Sequence, residues 1–74
     1  MSNRRFSGTR LRAARQAAGL TAGDVAARVH RSPFAVWSYE RGRVRPPVDI
    51  ASGLAEVIGV PLDDLLDEDR GAVA

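Results

Sequence analysis

Residues 20–46, LTAGDVAARVHRSPFAVWSYERGRVRP, decide the fold of this 74-residue chain. Their apolar spacing predicts two short amphipathic helices, joined by a tight turn and followed by an arginine-rich segment. Thr21 opens the first of these helices, because Asp24 three positions later completes a capping-box-like pair. Ser32 as N-cap and the proline after it mark the start of the second helix, which covers residues 33–41.

The two helices divide their residues between an inward and an outward face. Helical spacing places one apolar set inward: Val25, Ala26, Val29, Ala35, Val36 and Tyr39. The other positions of the helix over residues 33–41, the third helix of the whole chain, project elsewhere: Phe34, Trp37, Ser38 and Arg41. An aromatic pair on such a helix is usually assigned to the core. Its outward placement leaves DNA contact, a protein interface and core packing as open alternatives.

The flanking segments are predicted to be helical as well. Ser7 caps a helix over residues 8–18, which Gly19 ends. A fourth helix covers residues 48–58 and a short fifth helix covers residues 62–66. No segment has the alternation that is typical of a strand. The prediction is therefore an all-α fold, a compact five-helix bundle.

Charge divides the chain into a basic first part and an acidic end. Residues 1–45 hold ten arginines and two acids, a net charge of +8, whereas residues 46–74 hold one arginine and seven acids, a net charge of −6. This asymmetry suits a polyanion-binding face. All eleven cations are arginines, which suits phosphate and guanine contacts but equally fits the codon bias of a GC-rich genome. We expect a flexible basic segment at 1–6, a folded domain at 7–67 and a flexible acidic tail at 68–74.

Composition excludes several classes of protein. Without cysteine and with one histidine, the chain cannot form disulfides, thiolate metal sites or a histidine-based metal centre by itself. No nucleophile–base pair, paired carboxylates or glycine-rich phosphate loop is present, so we expect no enzymatic activity and no cofactor. The N-terminus lacks the apolar core of a signal peptide, and no apolar run could span a bilayer. These features predict a cytoplasmic protein that does not contact a membrane.

Several sequence blocks occur in an order that is more specific than any one of them. They are Leu11, Gly19-Leu20-Thr21, Val25-Ala26, Ser32, Val36, Tyr39-Glu40-Arg41-Gly42, Arg45-Pro46, Leu54-Ala55, Gly59-Val60 and Leu62-Asp63-Asp64-Leu65-Leu66. In this order the chain resembles the Cro/phage-repressor (XRE) helix-turn-helix family over roughly residues 6–67.

The resemblance implies a lambda-repressor-like DNA-binding domain whose third helix, residues 33–41, enters the major groove. It implies a sequence-selective transcriptional regulator, in particular a repressor, that binds double-stranded operator DNA as a symmetric dimer or as paired monomers. Helices 48–58 and 62–66 would form the homodimer contact. Leu62, Leu65 and Leu66 are the candidate contacts, and the alternative is that they close the core.

The resemblance also assigns roles to individual positions. The base-contacting residues would be Pro33, Phe34, Trp37 and Ser38. The residues on the DNA backbone would be Arg10, Thr21, Ala22, Arg41, Arg43 and Arg45. The base-contacting set cannot form the bidentate contacts that distinguish adenine or guanine, although Phe34 could pack on a thymine methyl group. We therefore expect phosphate contacts to dominate the affinity, and methyl contacts and DNA shape to supply specificity.

Some positions depart from the family pattern. His30 occupies a turn position where the family usually has glycine, so it must adopt a left-handed conformation. Ala22 stands where glutamine is frequent, which removes one polar contact to the DNA backbone. Pro47 and Pro61 replace the serine-like N-caps of the fourth and fifth helices, so both helix starts are expected to be looser or shifted.

A protein-interaction module is the alternative hypothesis. An antitoxin or an adaptor could keep this fold and turn Phe34 and Trp37 toward a protein partner. The arginines near residue 43 favour DNA, whereas the aromatic surface favours a protein. A DNA-bending factor that inserts an aromatic wedge is a weaker alternative, because such wedges usually act from the minor groove.

Overall fold

A computed structural model describes residues 4–68 and places four helices between two short strands. The elements in chain order are β1 (Arg4–Phe6), α1 (Gly8–Ala17), α2 (Ala22–Arg28), α3 (Pro33–Glu40), α4 (Val48–Ile58), a one-turn 3-10 helix (Leu62–Leu65) and β2 (Leu66–Glu68). The predicted helical bundle around a helix-turn-helix is confirmed, and the helix bounds agree with the sequence-based ones to within one residue. No helix of this described region is long and apolar enough to cross a membrane.

Polar side chains at the helix starts explain why the bounds were predictable. The Ser7 hydroxyl accepts a hydrogen bond from the Arg10 backbone N–H at 3.1 Å. At α2 the capping box is complete: Asp24 accepts from the Thr21 N–H at 2.9 Å, and the Thr21 hydroxyl accepts from the Asp24 N–H at 3.0 Å. Pro47 supplies no such bond to α4, as expected from its side chain.

The core lies where the four helices and the 3-10 turn meet. Its fully buried side chains are Leu11, Val25, Val36, Leu54 and Leu65. The predicted inward positions of α2 and α3 are all buried, except that Ala35 is half-buried. Burial of these apolar groups is the main force that holds the short helices together.

A two-stranded antiparallel sheet corrects the expectation of an all-helical chain. The pairing aligns Arg4 with Glu68, Arg5 with Asp67 and Phe6 with Leu66. The prediction of no strands was therefore wrong, and the predicted fifth helix is a single 3-10 turn that ends where β2 begins. Strands of three residues are too short to show the alternation of apolar and polar residues that predicts a strand. The two strands are also about 60 residues apart in sequence, so neither indicates the other.

The predicted flexible ends overlap this sheet. Arg4–Phe6 forms β1 instead of belonging to a flexible segment, and an ion pair of 3.1 Å joins Arg4 to Asp63. The Ser7 N–H also donates to the Leu65 carbonyl at 2.7 Å. The other parts of the predicted flexible ends, residues 1–3 and 69–74, lie outside the described residues.

Candidate nucleic-acid interface

The packing of α2 against α3 forms the helix-turn-helix unit. Ala22, Ala26 and Val36 form a small buried cluster between the two helices. The turn between them closes with a hydrogen bond of 2.9 Å from the Arg31 N–H to the Ala26 carbonyl. His30 adopts φ 58°, so the predicted left-handed turn residue is confirmed.

Three side chains on the outward face of α3 are exposed to solvent. Pro33 is exposed, Phe34 is 70% exposed and Trp37 is 47% exposed. Phe34 lies on a helix that packs against α2, and an exposed aromatic side chain in such a position is suited to contact a macromolecule. Core packing, one of the open alternatives for this aromatic pair, is therefore excluded for Phe34.

Ser38 differs from the expectation that it projects outward. Its residue surface is only 7% exposed, so Ser38 offers little surface to a bound duplex. The cause is that α3 packs against α1 as well as α2, and its buried face is wider than one apolar stripe. The buried serine also lies at the exit of α3, where its carbonyl accepts from the Arg43 N–H at 3.0 Å.

Three of the predicted backbone-contacting arginines lie together after α3. Arg41, Arg43 and Arg45 belong to the exit loop, residues 41–47, and all three side chains are exposed. None of them forms an ion pair with a carboxylate of residues 4–67. Glu40, the carboxylate next to Arg41 in sequence, pairs with Arg15 instead. Uncommitted guanidinium groups in one loop are available for phosphate.

The start of α2 offers fewer groups for contact with the DNA backbone than the sequence predicted. Thr21 is exposed, but its backbone N–H and its hydroxyl are both engaged in the capping box. Ala22 is only 5% exposed because its side chain packs in the cluster between α2 and α3. Its methyl group therefore faces the protein, and only its backbone could contact a ligand.

Arg10 lies apart from the other predicted contacts. Its Nε donates to Asp67 Oδ1 of β2 at 2.9 Å, with both side chains more than half exposed. The opposite face of α1 approaches α3 at Gly8, where an added Cβ would overlap the carbonyl oxygens of Tyr39 and Glu40. Arg12 lies one turn after Gly8 and therefore shares that face, whereas Arg10 does not.

Arg15 and Glu40 were not among the predicted site residues, yet they organise this region. Arg15 Nε and Nη2 donate to the two carboxylate oxygens of Glu40 at 2.6 and 3.1 Å. The side chains are 12% and 5% exposed, and the hydrogen bond to Glu40 raises the pKa of Arg15. The available signal was the shared face of Gly8, Arg12 and Arg15 at four- and three-residue spacing.

A polar cleft of about 190 Å³ lies between α1 and α3. Its lining residues are Arg12, Arg15, Trp37, Glu40 and Arg41. Three guanidinium groups against one carboxylate give this cleft a net charge of +2. No group of three or more His, Asp or Glu side chains in the described part of the chain could hold a metal ion.

Comparison with known proteins agrees with this geometry. The family model of the helix-turn-helix domain matches residues 8–68. The solved structure of the clp gene regulator ClgR from C. glutamicum is 26% identical, with a TM-score of 0.74, and the match covers 78% of this chain and 75% of ClgR. The P22 c2 repressor protein, solved in complex with a synthetic operator, is 23% identical with a TM-score of 0.75. That match covers 82% of this chain and 92% of the repressor chain, and it supports the fold alone.

No curated protein matches the chain in a sequence search. The family assignment rests on the helix-turn-helix family model, which spans almost all described residues. The similar fold of ClgR and the capped helix pair with its left-handed turn agree with it. The chain thus belongs to the helix-turn-helix domain family of DNA-binding transcriptional regulators.

Proposed function

We propose that this chain binds double-stranded operator DNA sequence-selectively and acts as a transcriptional repressor, with α3 in the major groove. The observation that carries this proposal is the combination of exposed Pro33 and Phe34 at the start of α3 with three exposed arginines directly after the helix. The helix would face the base edges while the exit loop faces the phosphates that border the groove. The P22 c2 repressor, which has a similar fold, was solved in complex with a synthetic operator, and this favours DNA as the partner.

The base contacts in this proposal are mainly apolar. Pro33 and Phe34 occupy the exposed start of α3, and Phe34 is suited to pack on a thymine methyl group. Trp37 offers one N–H donor and a flat apolar surface. Burial removes Ser38 from the proposed base-contacting set. Methyl contacts and DNA shape therefore carry most of the proposed specificity.

Phosphate contacts supply most of the proposed affinity. Arg41, Arg43 and Arg45 are the main candidates because they are exposed and belong to the same loop after α3. Thr21 and the Ala22 backbone are lesser candidates at the start of α2. Arg10 remains a candidate only if DNA displaces Asp67, and this exchange is feasible because an exposed ion pair is worth only about 0–1 kcal/mol.

A homodimer on the operator is part of the proposal. Leu65 is fully buried in the core and cannot serve this contact. Leu62 and Leu66 are half-buried and line an apolar cleft of about 320 Å³ beside Val48, which is 80% exposed. For such a dimer to bind two half-sites, its two α3 helices must lie about 34 Å apart, one helical turn of DNA.

Three single variants test the DNA proposal. Arg43→Ala and Arg45→Ala should weaken binding to all duplexes about equally, and each should reduce the slope of log Kd against log salt by about 1. Phe34→Ala should instead change the preference among sites. Arg28→Ala removes an exposed arginine of α2 and serves as the charge-matched control. Unchanged duplex binding in all three test variants would overturn the proposal.

A protein-interaction function is the second candidate. The observation that favours it is the 70% exposure of Phe34 together with the half-exposed Trp37. An antitoxin or adaptor would bury this aromatic surface against its partner. In that case the Phe34→Ala variant would lose the partner, while substitutions of the exit-loop arginines would leave the partner complex intact.

A further inference from the structure

We propose that the cleft between α1 and α3 binds one phosphate group of the DNA backbone, with Arg12 and Arg41 as its cationic contacts and Trp37 as its wall. This inference rests on the proposed DNA-binding function and adds Arg12 to the residues proposed to contact DNA. It also gives Trp37 a place beside a phosphate rather than a base.

The cleft holds two cations that no described carboxylate neutralises. Glu40 accepts two hydrogen bonds from Arg15, and the remaining Arg15 nitrogen, Nη1, donates to the Leu20 carbonyl at 2.9 Å. The Arg15–Glu40 pair therefore forms a neutral floor. Arg12 and Arg41 are exposed, line the same cleft and form no ion pair with a carboxylate of residues 4–67. This leaves the net charge of +2 available to an anion.

The size of the cleft matches a single phosphate group. A volume of about 190 Å³ corresponds to roughly six water molecules at about 30 Å³ each. Pockets for drug-sized molecules begin at about 300 Å³, so a whole nucleotide or cofactor is too large. A tetrahedral oxyanion with part of its hydration shell fits the space. Guanidinium groups are suited to it because they present paired N–H donors.

The position of the cleft favours a phosphate of bound DNA. Phe34 lies in the first turn of α3, whereas Trp37, Glu40 and Arg41 lie in its last turn and at its end. A helix that enters the major groove by its first turn leaves its last turn near the groove edge, where the sugar–phosphate strand lies. Arg12 reaches the same edge from α1 because Gly8 lets α1 approach the end of α3 closely.

Trp37 makes the site directly observable. It is the single tryptophan of the chain, so intrinsic fluorescence reports on the cleft without any label. A mixed-sequence duplex of about 20 base pairs, about two helical turns, is the first probe, and inorganic phosphate is the second. Wild type, Arg12→Ala, Arg12→Lys and the control Arg28→Ala are each titrated at several salt concentrations.

We expect the duplex to change the Trp37 emission of the wild type and of Arg28→Ala with similar Kd values. Arg12→Ala should weaken binding to the duplex at least about tenfold, as expected for the loss of one charge-assisted hydrogen bond. It should also lower the salt slope by about 1, whereas Arg12→Lys should keep the slope. Circular dichroism of each variant confirms that the exposed substitutions leave the helices intact.

The outcomes separate this inference from the proposed function. If the wild type binds no duplex, the proposed function fails and the inference fails with it. If the wild type binds duplex and Arg12→Ala behaves like Arg28→Ala, the DNA proposal stands and the cleft assignment is overturned. If Trp37 responds to inorganic phosphate in an Arg12-dependent way but not to duplex, the cleft binds free phosphate. That result overturns the DNA assignment.

Discussion

Arg15 and Glu40 form a two-pronged ion pair that joins α1 to the last turn of α3, with N–O distances of 2.6 and 3.1 Å. Arg15 also donates to the Leu20 carbonyl at 2.9 Å, which connects the pair to the segment before α2. Both side chains are largely buried, so solvent screens their attraction only weakly. The pair thus sets the position of α3 relative to the rest of the domain.

The first prediction concerns removal of one partner of this pair. Arg15→Ala should lower the free energy of unfolding by about 3 kcal/mol, because Glu40 is left as a buried charge without its counterion. The double variant Arg15→Met/Glu40→Leu should lose less stability than the single variant, because it leaves no buried charge. Urea unfolding measures both. Arg12→Ala is the control on the same helix face, with an expected change within about 0.5 kcal/mol.

An Arg15→Ala variant as stable as the wild type would show that the pair does not hold α3. A double variant that loses more than the single variant would contradict the charge-burial explanation.

The second prediction concerns Gly8. Alanine is favoured over glycine inside helices by up to about 1 kcal/mol, yet a Cβ at this position would overlap the carbonyl oxygens of Tyr39 and Glu40. We expect Gly8→Ala to lower the free energy of unfolding by about 1–3 kcal/mol, the usual effect of overpacking. Thermal unfolding followed by circular dichroism measures the change.

Gly23→Ala is the matched control, because the nearest atom to an added Cβ there is Thr21 Oγ1 at 3.7 Å. This control should be neutral or stabilising. A Gly8→Ala variant that gains stability would contradict the close approach of α1 to α3.

Much of the fold followed from the sequence because its signals are local. Ser7, Thr21 and Ser32 each cap a helix through a backbone N–H three residues later, so side chain and partner are visible together in the sequence. The left-handed conformation of His30 was predictable because it fills a turn where the family has glycine. The β1–β2 pairing joins residues near opposite ends of the chain, and nothing local in either strand reveals the other.

The candidate site was predicted less completely, for a physical reason. The exposure of Phe34 followed from helical spacing. The burial of Ser38 did not, because it depends on how closely α1 approaches α3. The same approach, permitted by Gly8, brings Arg15 to Glu40 and places Arg12 beside Trp37. Such contacts depend on tertiary packing, which apolar periodicity does not specify.

The third prediction uses the left-handed turn at His30, where φ is 58°. A non-glycine residue in this conformation costs about 1 kcal/mol or more, and a β-branched residue costs most. His30→Gly should therefore raise the free energy of unfolding by about 0.5–1 kcal/mol, whereas His30→Val should lower it by about 1–2 kcal/mol. Urea unfolding of the two variants gives the ranking. A valine variant more stable than the glycine variant would contradict the left-handed conformation.

The fourth prediction concerns pH and the capping box of α2. Hydrogen bonds from the Thr21 backbone N–H, and then from its side chain, lower the pKa of Asp24. A lowered pKa in the folded state stabilises the protein above the unfolded pKa of about 3.9. That stabilisation is lost as the pH falls through the lowered pKa. The Tm difference between wild type and Asp24→Asn should therefore be constant above about pH 5 and shrink below about pH 4.

Glu56→Gln removes an exposed acid of α4 and controls for the loss of one negative charge. A difference between wild type and Asp24→Asn that grows as the pH falls would contradict the capping-box explanation.

Selection from a randomised pool of DNA duplexes, with sequencing of the bound fraction at two salt concentrations, tests the proposed function most directly. Operator binding through α3 predicts an enriched motif that survives the higher salt concentration. In a dimer its half-sites should lie about one helical turn, ~34 Å, apart. Weak binding without any motif, lost at the higher salt concentration, would contradict sequence-selective DNA binding. It would favour a protein partner for the surface formed by Phe34 and Trp37.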